Sequence, residues 1–161
     1  MKVLTISEEG KVTGREGRWI LVYLDGSEES RKVIEAAAQI AKEDGLSLAL
    51  LTVLKRNLRI PDDFRKYVES EKFVDPAGYL YYRFVGESML APYKDILHEQ
   101  GVPYEIFVEM GDKKERIESL ARTLRPHKIV MSLNGMKTRS PLQFFRRAAT
   151  LNVNCPITII P

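Results

Sequence analysis

The chain of 161 residues has one cysteine, Cys155. An intrachain disulfide is therefore excluded, and so is a cysteine-rich metal centre. Histidine is nearly as scarce, with only His98 and His127, and no metal-ligand spacing is present. No apolar run approaches the roughly 20 residues that cross a bilayer, so no membrane partner is expected. The first residues, Met1 to Glu9, turn acidic before a long apolar stretch forms, unlike a secretory leader. The expected location is the cytoplasm. Acids disappear after Glu118: Ser119 to Pro161 holds no Asp or Glu but seven Lys or Arg. The first 118 residues carry 18 basic and 22 acidic side chains, so the net charge of +3 joins two unlike parts. Such a block either favours nearby anions or forms a solvated face balanced by acidic helices. Nucleic acid is not an expected partner, because the basic residues do not line one helix face and no nucleic-acid motif accompanies them.

What remains is an ordinary globular composition, 44% hydrophobic and 29% charged, long enough for one core. Residues 1–18 read as an N-terminal appendage in which Val3 to Ile6 can form a short strand. Residues 19–161 read as the domain. Trp19 to Leu24 is a continuous apolar run, the pattern of a strand buried on both faces. Asp25-Gly26-Ser27 follows as a turn, with Ser27 as the predicted helix N-cap and Glu28 and Glu29 in the first turn. Val33, Ile34, Ala37, Ile40 and Ala41 recur at helical spacing, and Gly45 ends the helix. Leu46 to Leu54 is a second buried strand.

Residues 55–85 are different. They hold Pro61, Pro76 and seven of the 14 aromatics, from Phe64 to Phe84. A short helix is expected from Asp62 to Lys72. The segment is either a lid-like connection over a pocket or an aromatic cluster that closes one end of the core. A long helix is predicted over Gly86 to Gln100, with Pro92 marking a late start or a kink. Tyr104 to Val108 alternates as a half-exposed edge strand does. Gly111-Asp112-Lys113 opens a further helix, and Lys128 to Ser132 is a fourth strand. A last helix is expected from Pro141 to about Asn152, and Ile157 to Ile160 is the fifth strand.

Strands alternating with helices argue for an α/β fold: a five-stranded parallel sheet with helices on both faces. Ligands of such sheets bind beyond the carboxyl ends of the strands. The candidate site is therefore Asp25, Gly26 and Ser27 with the loop after Ser132. Catalysis has little support. His98 falls at a helix end and His127 at the wrong end of the fourth strand, so no nucleophile–base constellation is indicated. Cys155 reads as a small buried hydrophobe.

Ile20 to Ser27, the helix after it, Ser47 to Val53, Ile129 to Ser132 with Gly135, and Cys155-Pro156-Ile157 together resemble the universal stress protein family over residues 18–161. The resemblance implies a strand order of 3-2-1-4-5 and, usually, a dimer. It also implies an adenine-nucleotide site in which Asp25 meets the adenosine end. The family's phosphate motif is Gly, two residues, Gly, nine residues, then Gly and Ser or Thr. Here Ser132 replaces the first glycine and Gly135 matches the second. Phe145-Arg146, or Gln143-Phe144 after a two-residue shift, stand where Gly-Ser is expected. Backbone N–H groups approach phosphate only where no side chain intervenes, so the motif is degenerate.

The expectation is thus a non-catalytic binding or signalling module with a degenerate nucleotide site and no certain cofactor. The alternative is a weak ATP or AMP binder, with slow hydrolysis at most, in which Lys137, Arg139, Arg146 and Arg147 neutralise phosphate. A third class is an interaction protein that uses the aromatic segment for an unknown protein partner. The turns of nucleotidyl transferases, pyrophosphate-loop enzymes and phosphorylated receiver domains do not match. The apolar outer strand Ile157 to Ile160 gives a homodimer a physical motive.

Overall fold

The structure, a computed structural model, describes residues 4–6, 18–132 and 151–161. Along the chain come Leu4–Ile6 (β1), Trp19–Tyr23 (β2), Glu28–Asp44 (α1), Ser47–Leu54 (β3), Asp62–Ser70 (α2) and Ala77–Gln100 (α3). Tyr104–Met110 (β4), Lys113–Leu124 (α4), Lys128–Ser132 (β5) and Ile157–Ile160 (β6) follow. The five strands from β2 to β6 are parallel. Numbered among themselves they lie in the order 3-2-1-4-5, within a sheet ordered β1-β4-β3-β2-β5-β6. This is the α/β sheet that the alternation of strands and helices predicts.

The unbroken apolar runs of β2 and β3 have their cause in the layers on both sides. Ile20, Val22, Leu24, Leu48 and Leu50 face Val33, Ile34 and Ala37 of α1 and Leu90 and Leu97 of α3. Trp19, Leu21, Tyr23 and Leu51 face Ile117 and Leu120 of α4. Strand alternation sends each residue to one layer or the other, so both sets must be apolar.

Two elements differ from the sequence-based expectation. Tyr104 to Val108 is not an edge: β1 pairs antiparallel with it, Leu4 opposite Val108 and Ile6 opposite Ile106. The long helix begins at Ala77 rather than Gly86, after Pro76 in extended conformation. Its first turns are held by Tyr82, which is buried. The Tyr82 hydroxyl donates to the Arg56 carbonyl and accepts the Leu58 N–H at 3.2 Å. Pro92 lies inside the helix, where the missing N–H costs one ladder bond. Burial of Leu90, Tyr93 and Leu97 around it offsets that loss.

Gly86 is a contact point, not a start signal. A Cβ there would stand 2.4 Å from Val108 Cγ1 and 2.5 Å from Cγ2, so only glycine lets α3 lie this close to β4. The helix expected from Pro141 lies outside the described residues except for its predicted end. There Leu151 and Asn152 are not helical.

Candidate functional site

Asp25 follows the last two buried residues of the β2 run, at the carboxyl end of the sheet. Its side chain organises the turn. Asp25 Oδ1 accepts the Ser27 N–H at 3.0 Å, the Ser27 hydroxyl, and the Ser30 hydroxyl at 2.9 Å. Ser30 Oγ in turn accepts the Asp25 N–H at 3.2 Å. Ser27 sits at the N-cap position of α1, but its side chain makes no cap bond to the helix. The hydroxyl is drawn to Asp25 instead, a correction to its predicted role. Gly26 takes φ +80, the left-handed region that favours glycine.

Burial by itself would raise the Asp25 carboxyl. The hydrogen bonds from Ser27 and Ser30, with the nearby charge of Lys113, outweigh it and hold the group below its usual range. The carboxylate is therefore ionised at neutral pH. All three bonds to the carboxylate land on Oδ1, and Oδ2 takes none of them.

A cleft of about 390 Å³ opens here, within the range of small-ligand pockets. Its wall is made by the carboxyl ends of three strands. Tyr23 ends β2 and Asp25 follows it, Thr52 and Val53 belong to β3 and Lys55 follows it, Gly111 and Asp112 form the turn after β4, and Lys113 begins α4. Met89 of α3 also lines it. Lys113 Nζ stands 5.6 Å from the centre of the Tyr23 ring, a cation–π distance. Burial, then the charge of Asp25, raises the Tyr23 hydroxyl far above its ordinary value, so it stays protonated. The Thr52 hydroxyl is buried without a hydrogen-bond partner.

Two positions before Gly111 of this wall, Glu109 is 1% exposed. Its nearest cation, Arg116 Nη1, is 3.8 Å from Oε2, and neither carboxylate oxygen has a hydrogen-bond partner. Burial dominates over Arg116, and the carboxyl is pushed up.

Of the predicted site residues, Asp25 lines the cleft, and Gly26 and Ser27 form the turn that fixes it. Ser132 is the buried last residue of β5. Gly135, Lys137, Arg139 and Arg146 lie outside the described residues, as do Gln143 to Phe145. Sequence reasoning missed Tyr23, Thr52, Val53, Lys55, Met89 and the Gly111–Lys113 turn. The signal was available for most of them, since they sit where β2, β3 and β4 end. His98 meets Tyr104 edge-on at 6.2 Å on the end of α3. The His127 backbone N–H donates to Trp19 O at the amino end of the sheet. Neither histidine lines the cleft. Among the described residues no group of three or more His, Cys, Asp or Glu is placed to hold a metal ion. Nor is any helix there long and apolar enough to cross a membrane.

Solved structures share this architecture. A universal stress protein from Lactobacillus plantarum is 18% identical, with a TM-score of 0.62, covering 92% of this chain and 100% of its own. One from Archaeoglobus fulgidus, in complex with dAMP, is 17% identical with a TM-score of 0.58, covering 88% and 96%. A family protein from Arabidopsis thaliana with AMP bound is 24% identical with a TM-score of 0.55, covering 88% and 90%. No curated protein matches the chain. The model of the universal stress protein family matches residues 18–161, from the start of β2 through β6, and the chain belongs to that family.

Proposed function

We propose that the chain is a non-catalytic binding module whose cleft takes the adenosine end of an adenine nucleotide and grips its phosphates poorly. The observation that carries this reading is the cleft at the ends of β2, β3 and β4, with an ionised Asp25 fixed in its wall by three bonds to one oxygen. Oδ2 is the oxygen left to accept from a ligand hydroxyl or amine. The dAMP and AMP complexes of the two relatives support a purine nucleotide as the ligand class. AMP and ATP are accordingly the ligands to test. Ser132 in place of the first motif glycine, and Phe144 or Phe145 near the last, support a weak phosphate grip.

Equilibrium titration tests the reading directly. AMP and ATP should bind weakly and with similar affinity, and Asp25→Ala should abolish both. No saturable binding by either nucleotide would refute it. ATP binding far tighter than AMP would instead favour a phosphate grip from the basic loop, with slow hydrolysis as its companion activity.

The reading includes a cytoplasmic homodimer. β6 is the outer strand, and all four of its residues are only half-buried. It also leaves room for a protein partner at the aromatic segment. There Tyr67, Phe73, Val74 and Phe84 are exposed, which is unusual for large apolar side chains so close together.

A further inference from the structure

A second cleft, of about 510 Å³, opens at the opposite end of the sheet, between the end of α4 and the segment leading into β6. Arg122 and Arg125 line it from the helix, and Asn152, Asn154 and Cys155 line it from the segment. Its described lining contains no acid. Burial raises the Cys155 thiol, so that group adds no negative charge at neutral pH.

The segment wall is fixed by the core. Leu151, Val153 and Cys155 pack against the α4-side layer, while Asn152 and Asn154 are exposed. Alternation thus sends the apolar side chains inward and the two carboxamides outward. The Asn152 N–H donates to Glu118 Oε1 at 2.8 Å, which ties the segment to α4. Pro156 O accepts the Ile129 N–H and ties its end to β5.

The helix wall carries an oddity. Three helices end in a left-handed residue: α1 at Gly45 with φ 65, α3 at Gly101 with φ 67, and α4 at Arg125 with φ 47. Glycine makes this cap without strain, and a side chain does not. The chain uses glycine at the first two. At the third a non-glycine residue takes that conformation, as Lys72 does just after α2 with φ 52, and here that residue, Arg125, lines the cleft.

We propose that this cleft is a binding site for a small polyvalent oxyanion. Arg122 and Arg125 supply charge and forked N–H donors that match phosphate or carboxylate oxygens. The Asn152 and Asn154 carboxamides supply neutral donors from the facing wall. The site lies at the other end of the sheet from the nucleotide cleft, and nothing in it depends on the nucleotide reading.

Heteronuclear NMR of the full chain tests the site, with inorganic pyrophosphate and citrate titrated separately at constant ionic strength. The side-chain amide signals of Asn152 and Asn154 should shift and saturate. Arg122→Gln, on an exposed helix position, should weaken binding at least tenfold while leaving the melting temperature unchanged. Arg125→Gly should weaken it similarly. Saturation by pyrophosphate alone assigns the phosphate class, by citrate alone the polycarboxylate class, and by both a general oxyanion site. Shifts that never saturate, or that persist unchanged in both variants, would overturn the proposal.

Discussion

The Lys113 ammonium stands above the Tyr23 ring at the start of α4, and its charge reaches the Asp25 carboxyl. One cation from the first turn of α4 thereby couples the last residue of β2 with the turn that follows it. Lys113→Met should raise the Asp25 carboxyl toward its ordinary value without changing the fold. Carbon-detected NMR of the Asp25 side chain measures that shift. An unmoved titration would mean the serines alone hold the group.

Asp25 also has a structural load. Asp25→Ala removes the acceptor of three hydrogen bonds, and a capping or turn contact of this kind is worth about 1–2 kcal/mol. Urea unfolding of the variant should show a loss of that size, with the protein still folded at 25 °C. The nucleotide titrations are interpretable only on that condition. Ser30→Ala keeps the carboxylate and removes one bond, so it should cost less.

Glu109 makes stability depend on pH in the direction opposite to Asp25. Its folded carboxyl is raised, so the folded state holds its proton at pH values where the unfolded chain has released it. Stability from this group is full below the unfolded value, near 4.5, and falls as pH rises through the folded one. Glu109→Gln should therefore be more stable than the parent at neutral pH, because a neutral amide avoids burying a charge. The advantage should shrink toward acid pH. Denaturant titrations across that pH range give the sign, and an advantage that grows on acidification would contradict the assignment.

Gly86→Ala puts a methyl group into the branched side chain of Val108, where no flexible end can move away. Overpacking of this kind costs about 1–3 kcal/mol, more than the small gain in helix propensity returns. Pairing the change with Val108→Ala should recover part of the loss. A neutral Gly86→Ala would show that α3 can shift away from the sheet.

For the dimer, the outward groups of β6 follow from its pairing. Pro156 O accepts from Ile129, so alternation directs Thr158 toward β5 and the Ile159 N–H away from it. Ile159→Pro removes that outward donor and spares the β5 ladder. Light scattering should report twice 18.4 kDa for the parent chain and the single mass for the variant. A parent chain found only at the single mass would remove the dimer.

The parts of the fold legible in the sequence were those buried on both sides. Trp19 to Leu24 and Leu46 to Leu54 have no polar interruption long enough to read otherwise, and Gly45 marks the end of α1 by its chemistry. Tyr104 to Val108 misled because alternation reports which face of a strand is exposed, not whether its flank is paired, and β1 pairs with that flank. The start of α3 was hidden because Tyr79 and Tyr82 look like an irregular aromatic segment until Tyr82 is seen to anchor Arg56 and Leu58. Asp25 was legible as a candidate because it directly follows an obvious strand. Thr52, Lys55 and Lys113 were not, since nothing local in the sequence shows that three strand ends converge.

β1 spans only Leu4 to Ile6, yet it occupies the flank of β4 and runs against the direction of every other strand. A stack of identical molecules would need adhesive ground on both flanks, and on this one the outermost strand is β1 itself, only three residues long. If β6 pairs with a second copy as proposed, the opposite edge of each sheet is a strand of only three residues, a poor template for further strand addition.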